Sequence, residues 1–211
     1  MSAVQRLIGD AARLGVTVAE PDALRLTSLL DELERWNRTY NLTAIRKRED
    51  MVTHHLLDSL SVHPDLRGDT IADVGTGAGF PGLPLAIVSP QRRFTLIDSN
   101  GKKVRFVSHV TRLLELANVE TMHARVESLR LPRQFDTVIA RAFTALPELV
   151  TKVASVCGPE TRVLAMKGQW PQRELDALPP EWGVEASRQI EVPGLNEARC
   201  VIALQARAPA R

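Results

Sequence analysis

The sequence predicts an α/β fold in which a mostly parallel β-sheet is covered by helices and closed by an antiparallel C-terminal pair of strands. Three observations support this fold class. Helical patterns fill residues 1–66, short apolar runs alternate with helical segments after Asp69, and the last two apolar runs leave no room for a helix between them. Strands that alternate with helices are typical of a parallel sheet covered on both faces. We therefore divide the chain into an N-terminal helical extension, residues 1–66, and a sheet domain, residues 67–211.

Three helices are predicted in the extension. Apolar residues recur every three or four positions from Val4 to Leu14, and Gly15 follows as a plausible end. A second helix begins at Pro21 and continues to Tyr40, and we expect its aromatic residues to belong to the core. A third covers residues 49–62, with His55 and Asp58 three positions apart on one face.

Five strands are predicted in the sheet domain before the C-terminal pair. Their sequences are TIADVG, RFTLID, VETMHA, FDTVIARA and TRVLAMKG, with helices near residues 80–89 and 101–117 between the first three. The C-terminal pair is GVEASRQIEV and EARCVIALQAR. Ligands of such sheets bind outside the carboxyl ends of the strands. The ionisable residues at or just after those ends are Asp73, Asp98, Glu127, Arg141 and Lys167, and we expect them at one edge.

Composition excludes several classes of protein. The chain has 211 residues, 44% of them hydrophobic, and a net charge of +2. Cys157 and Cys200 form no Cys-x-x-Cys pair, and the histidines lack metal-binding spacing, so we expect no disulfide framework and no metal. Charged residues interrupt the N-terminus where a signal peptide needs an apolar core, and no segment approaches membrane-spanning length. We expect a soluble, cytoplasmic protein.

The glycine-rich stretch IADVGTGAGFPGLPLA, residues 71–86, indicates a backbone that approaches a ligand closely. It lacks the lysine that a phosphate-binding Walker loop requires. Gly77, Gly79 and Gly82 fit the dinucleotide pattern Gly-x-Gly-x-x-Gly, with Asp98 about twenty residues further on. This match alone leaves a dinucleotide possible.

Asp73 favours a different ligand, because a carboxylate at the mouth of the turn would repel a pyrophosphate. S-adenosylmethionine carries an ammonium and a sulfonium group and no phosphate, so we expect the Asp73 carboxylate to bind this cofactor. We expect Gly75, Gly77 and Gly79 to let the backbone approach its methionine part. Asp98 would bind the ribose hydroxyls, and Glu127 would lie near the adenine.

At this point the residues resemble a known family, the bacterial ribosomal RNA small-subunit methyltransferase G (RsmG, once called glucose-inhibited division protein B, GidB). The motifs RWNRTYNLTAIR, HHLLDSL, DVGTGAGFPGLPLAI, LIDSNGKKVRF, ARVESL, VIARAF and MKGQ occur in the family's order and spacing. The resemblance implies a Rossmann-like, class I S-adenosylmethionine-dependent methyltransferase domain over residues 67–211. It also implies methyl transfer to N7 of guanine-527, in the usual bacterial numbering, of 16S ribosomal RNA. The cofactor contacts carried over from the family are Gly75, Phe80, Val126, Glu127 and Arg141. His54 departs from the family, which commonly has an arginine there.

Guanine N7 has no proton to lose, so we expect positioning and electrostatics without a general base. Arg141 and Lys167 would hold the guanine O6 or adjoining phosphates. Between residues 101 and 141, eight basic residues stand against four acidic ones, and we expect Lys102, Lys103 and Arg125 to contact the RNA backbone. The target would lie in a loop or an opened helix, because N7 faces a deep, narrow groove in A-form RNA.

Several alternatives stay open at this stage. His55 and Asp58 either attach the extension to the sheet or contact the RNA. The same cofactor domain could methylate a small molecule or a protein, which would leave the basic segment without a purpose, or it could methylate another RNA. A nicotinamide oxidoreductase would require Asp73 to tolerate a pyrophosphate. A non-catalytic RNA-binding module would use the basic face alone. We expect a monomer whose partner is 16S ribosomal RNA within a small-subunit particle.

Overall fold

A seven-stranded sheet forms the centre of the molecule in the computed structural model, which describes residues 2–207. The strand order is β3-β2-β1-β4-β5-β7-β6. The strands are β1 (Thr70–Val74), β2 (Arg93–Asp98), β3 (Val119–His123), β4 (Phe135–Arg141), β5 (Cys157–Lys167), β6 (Trp182–Ile190) and β7 (Arg199–Ala206). Strands β1 to β5 pair in parallel, and β7 pairs antiparallel with both β5 and β6. The predicted sheet and its antiparallel C-terminal pair are confirmed.

Eight α-helices accompany the strands in the described residues. They are α1 (Ala3–Arg13), α2 (Glu20–Tyr40), α3 (Arg48–Met51), α4 (Asp58–Leu60), α5 (Gly82–Val88), α6 (Gly101–Leu113), α7 (Leu146–Val153) and α8 (Gln172–Asp176). Short 3₁₀ turns cover His63–Asp65, Val126–Ser128 and Ala154–Val156. Ser2 and Gln5 form a capping box at the start of α1, and the Asn100 side chain caps α6 by accepting from two backbone N–H groups.

The third predicted helix differs from the expectation. Residues 49–62 do not form one regular helix, because a π-helical segment, Val52–Leu57, separates α3 from α4. A π-helical turn adds a residue per turn and re-aims the side chains that follow it, and such segments are frequent at functional sites. This one carries His54 and His55 and is followed directly by Asp58.

Two apolar cores lie on opposite faces of the sheet. One joins Leu7 of α1 and Leu26 of α2 to Ile71 of β1 and Phe106 of α6. The other packs α7, through Leu149, against the opposite face of the same strands. The extension therefore shares its core with the sheet, and the division at residues 66 and 67 stays a prediction.

Trp36 of α2 strengthens this junction. Its ring centroid lies 5.6 Å from that of Phe106 and 5.1 Å from that of His109, both in α6. Tyr40, one turn later, is 46% exposed. The expectation that the aromatic residues of α2 belong to the core holds for Trp36, while Tyr40 lies at the rim because α2 ends there.

No helix within residues 2–207 has the length and apolar content needed to cross a membrane.

Candidate active site

The glycine turn after β1 is held against the end of β2. The N–H groups of Gly75 and Thr76 both donate to the Ile97 carbonyl, at 2.9 and 3.0 Å. Gly75 has φ of 71°, and a Cβ atom there would lie 2.5 Å from the ring of Phe143. Only glycine fits at this point, both for its backbone conformation and for the space available.

Asp73 lies beneath this turn and lines neither of the cavities described below. Its Oδ2 accepts from Thr76 Oγ1 at 2.6 Å and from the Gly82 N–H at 2.8 Å. Oδ1 is buried and has no partner among residues 2–207. Burial raises the pKa of Asp73 to about 6, although both hydrogen bonds lower it. The sequence argument placed this carboxylate at the mouth of the turn. In the structure it fixes the shape of the turn from below, because its short side chain is directed toward Thr76 and the start of α5.

A cavity of about 260 Å³ opens at the carboxyl ends of β1, β2 and β3. Among its lining residues are Gly75, Asp98, Val126 and Glu127, four of the residues that the sequence analysis expects at the cofactor. Asp98 Oδ2 accepts from the Gly77 N–H at 2.9 Å, and Oδ1 accepts from the Asn100 N–H at 2.7 Å. These bonds fix the carboxylate at the cavity wall. We call this the cofactor cavity.

A second cavity of about 540 Å³ adjoins the first and shares Gly75, Lys103 and Ala142 with it. Its wall is built from the glycine turn, the ends of β4 and β5, and the extension. The lining residues from the extension are Leu42, Thr43, Ile45, His54, His55 and Asp58. We call this the target cavity.

Asp58 connects three parts of the chain at the wall of the target cavity. Its Oδ2 accepts from Arg141 Nη1 at 2.9 Å, and its Oδ1 accepts from Arg199 Nε at 3.1 Å. Arg141 Nη1 also donates to the His54 carbonyl at 2.9 Å. A carboxylate after the π-helical segment thus holds arginines from β4 and β7. Of the two readings left open for Asp58, the structure supports attachment of the extension to the sheet.

His55 is 7% exposed and stacks on Phe80, with ring centroids 4.7 Å apart. The Arg141 guanidinium lies 5.8 Å from the centroid of the same Phe80 ring. Burial, followed by the nearby Arg141 charge, lowers the pKa of His55 to about 4. His55 Nε2 lies 3.0 Å from Thr43 Oγ1. The Asn37 side-chain amide donates to the Thr43 carbonyl and accepts from the Thr43 N–H, at 3.0 Å each. The imidazole is therefore neutral near pH 7 and held in place.

The remaining predicted site residues lie in different surroundings. Lys167 lines the target cavity, but its Nζ donates to Glu174 Oε2 at 2.8 Å and to the Thr144 carbonyl at 2.9 Å. Lys103 lines both cavities, whereas its neighbour Lys102 lines neither. Arg125 lines the cofactor cavity with a largely exposed side chain, 3.8 Å from Glu127.

Gly77 and Phe80 line the target cavity, beside the shared residue Gly75. Gly79 lines neither cavity; a Cβ there would lie 2.3 Å from Leu83. It serves the packing of the turn onto α5.

Sequence reasoning missed several residues at the two cavities. Arg199 starts β7 and lines the target cavity, and Phe143 and Lys152 line the cofactor cavity, with Lys152 Nζ 5.4 Å from the Phe143 ring centroid. The antiparallel C-terminal pair carried the signal for Arg199, because β7 runs opposite to β5 and its start therefore lies at the edge where the parallel strands end. No group of three or more His, Cys, Asp and Glu side chains in residues 2–207 is arranged to hold a metal ion.

Comparison with known proteins identifies the family. The family model for rRNA small subunit methyltransferase G matches residues 23–202. The chain belongs to this family. A ribosomal RNA small subunit methyltransferase G from Saccharophagus degradans is 46% identical over 200 residues, covering 95% of this chain and 90% of that protein. One from Pseudomonas aeruginosa is 45% identical over 214 residues, covering 99% and 100%.

Solved structures share the fold at low sequence identity. A S-adenosylmethionine-dependent methyltransferase from Thiobacillus denitrificans, in complex with S-adenosyl-L-homocysteine, has a TM-score of 0.54 at 14% identity, covering 85% of this chain and 98% of that one. Coclaurine N-methyltransferase bound to N-methylheliamine and S-adenosylhomocysteine has a TM-score of 0.60 at 10% identity, covering 97% and 93%. The predicted family, the class I fold and the S-adenosylmethionine-dependent methyltransferase class are confirmed.

The residues present fit S-adenosylmethionine. Gly77 lines the target cavity and has no side chain. A Cβ atom added there would have no neighbour closer than the Gly75 carbonyl oxygen at 3.9 Å, so the space beside Gly77 is open to a ligand. Asp98 offers a fixed carboxylate suited to a pair of ribose hydroxyls. A pyrophosphate would need a Walker lysine or several backbone N–H groups that are not already bonded. At this turn, which lies within the described residues, there is no such lysine, and the N–H groups of Gly75, Thr76 and Gly77 donate to the Ile97 carbonyl and to Asp98.

Proposed function

We propose that this protein transfers a methyl group from S-adenosylmethionine to N7 of a guanine, guanine-527, in 16S ribosomal RNA of the small subunit. The observation that carries the proposal is the charge of the target cavity. Within residues 2–207, four Lys and Arg side chains line it against one acidic lining residue, Asp58, and the carboxylates of Glu174 and Glu197 also pair with Lys167 and Arg199. The basic residues are Lys103, Arg141, Lys167 and Arg199. Such a lining suits a polyanion whose base presents the acceptor O6, and the family relatives are named for the same class of substrate.

We assign Gly75, Phe80, Val126, Glu127 and Arg141 to the cofactor as the resemblance implies, and Gly77, Gly79 and Asp98 from their own chemistry. Gly75, Gly77 and Gly79 shape the turn, Asp98 binds the ribose, and Val126 and Glu127 lie at the adenine end. Phe80 and Arg141 stand between cofactor and target, and Asp73 supports the turn from below. When bound, S-adenosylmethionine supplies an electrophilic methyl group on a sulfonium.

The chain's own residues are suited to position the base and unsuited to remove a proton. Both oxygens of Asp58 are occupied by arginines, and Glu174 is paired with Lys167. His55 is a weak base, because its pKa is lowered to about 4. A reaction at N7, which has no proton, needs none of them as a base. Arg141 and Lys167 are the residues we expect to orient the guanine.

The substrate class distinguishes this proposal from its alternatives. A methyltransferase acting on a small molecule would not need four cationic side chains around the target. A methyltransferase acting on another RNA would methylate that RNA and leave the 16S molecule unmethylated. We further propose that the protein acts as a monomer in the cytoplasm on a small-subunit particle, with Lys102, Lys103 and Arg125 near the RNA backbone.

The test is single-turnover methyl transfer to small-subunit particles from cells that lack this protein, with the product nucleoside identified by mass. We expect N7-methylguanosine and a rate that stays flat from about pH 7 to 9. The range starts at about pH 7 because the pKa of Asp73 is about 6. Arg141→Ala and Lys167→Ala should each lower the rate roughly 10²-fold. Methylation of an exocyclic amine or a ribose hydroxyl, or a base-dependent rise in rate, would contradict the assignment.

A further inference from the structure

A third cavity of about 760 Å³ lies beside the target cavity. It is formed by the residues that follow β5 and by the connection between β6 and β7, with Arg13 of α1 at one side. It shares Gly168 and Arg199 with the target cavity. Because Lys167 at the end of β5 pairs with Cys200 near the start of β7, this cavity continues the same edge of the sheet. The cofactor, target and third cavities thus form one row.

The charges of the third cavity differ from those of the target cavity. Two arginines, Arg13 and Arg199, are balanced by Glu191 and Glu197. Glu197 Oε2 accepts from Arg199 Nη2 at 2.9 Å. A balanced lining does not concentrate phosphates as the target cavity does. It suits an uncharged group with donors and acceptors, such as a nucleobase.

Trp170 supplies a stacking surface at this cavity. Its side chain is 44% exposed and belongs to neither apolar core. The indole Nε1 donates to Gln172 Oε1 at 3.1 Å, which favours one orientation of the ring. A single exposed aromatic residue needs no explanation by itself. An exposed aromatic residue at the wall of a cavity that joins a proposed nucleic-acid site has the form of a base-stacking platform.

We propose that the third cavity binds the unpaired nucleotide next to the target guanine, with its base stacked on Trp170. This inference rests on the proposed function, because it requires an RNA strand in the target cavity. A guanine whose N7 faces the cofactor has left its own stack, and its neighbour loses a stacking partner at the same time. The exposed indole replaces that partner. The strand then runs from the target cavity past Gly168 and Arg199.

The experiment compares Trp170→Ala and Trp170→Phe with the wild type on small-subunit particles from cells that lack this protein. Leu24→Ala is the matched control, since Leu24 is 52% exposed on α2 and lines none of the three cavities. We expect Trp170→Ala to raise the KM for particles about 10-fold, within the range of one lost base stack. The kcat and the affinity for S-adenosylhomocysteine should stay as in the wild type. Trp170→Phe should restore most of the affinity, because it keeps an aromatic face.

A photo-crosslinking variant, Trp170→p-benzoylphenylalanine, identifies the occupant. We expect a crosslink to the nucleotide beside the methylated guanine. A crosslink to a ribosomal protein or to a distant nucleotide would overturn the inference, as would a KM within about twofold of the wild type in Trp170→Ala. If the wild type does not methylate guanine N7 in the particles at all, the proposed function itself fails. A normal wild-type reaction with an unaffected Trp170→Ala variant refutes this inference alone.

Discussion

Replacement of Asp58 by alanine should destabilise the protein strongly. Asp58 is 3% exposed, and each of its carboxylate oxygens accepts from a different arginine, Arg141 and Arg199. Alanine would leave Arg141 without a carboxylate at the cavity wall, while Arg199 would keep its contact with Glu197. Removal of one partner from a buried ion pair costs about 3–5 kcal/mol, because the remaining charge is uncompensated.

The size of the loss follows from the length of the chain. In proteins of about 150–250 residues, each 1 kcal/mol shifts Tm by roughly 2–4 °C, so we expect Asp58→Ala to lower Tm by roughly 6–20 °C. Asp58→Asn keeps the shape and one acceptor oxygen, and its loss should be smaller. Both variants should also methylate more slowly, because Arg141 is no longer held over Phe80.

Urea unfolding of the two variants, read by linear extrapolation, measures the effect. Asp10→Ala is the control, because Asp10 pairs with Arg13 at 3.4 Å on an exposed helix surface, where such a pair contributes about 0–1 kcal/mol. If Asp58→Ala costs no more than Asp10→Ala, the two arginines do not depend on this carboxylate. The reasoning about the cavity wall would then be refuted.

Three further predictions concern charge. Burial raises the pKa of Asp73 to about 6 from its usual 3.8, so the folded state binds this proton more tightly than the unfolded state does. The free energy of unfolding should therefore fall as pH rises from about 4 to 6, and Asp73→Asn should abolish that fall in urea unfolding. An NMR titration should show His55 uncharged from about pH 5 upward, since burial lowers its pKa to about 4, and a midpoint near 6.5 would contradict its burial. Lys103→Ala should weaken both S-adenosylhomocysteine and RNA binding, while Lys102→Ala should weaken RNA binding alone, as measured by calorimetry at several salt concentrations.

The fold could be predicted because its signals are local and periodic. Most of the predicted strands contain a short apolar run, and the helices between β1, β2 and β3 have apolar residues at helical spacing. The carboxyl-edge rule then brought Asp98, Glu127, Arg141 and Lys167 to one side of the sheet without any knowledge of contacts. That rule predicts which residues share an edge, and it does not predict which way a side chain turns. Asp73 is the example, since its carboxylate points under the glycine turn.

Irregular backbone and side-chain pairing set the parts that could not be predicted. The π-helical segment has no sequence period of its own, so residues 49–62 read as one ordinary helix. Glu174 accepts from Lys167 because α8 returns to the end of β5, and no sequence pattern predicts this ion pair. Arg199 reaches Asp58 across 141 positions of the chain.

The two cavities therefore differ in where their residues come from. Most of the cofactor cavity is built from the turns after β1, β2 and β3, which any protein with this fold has, and local motifs predicted these residues, whereas Phe143 after β4 and Lys152 of α7 were missed. The target cavity takes one wall from the extension, through Leu42, Thr43 and His55, and another from Arg199 in the C-terminal pair. Fold alone does not specify a substrate, so selectivity has to reside in what is added to the shared sheet. Because Asp58 joins both additions to Arg141, a change in either one should move the residue that we propose to stand between cofactor and target.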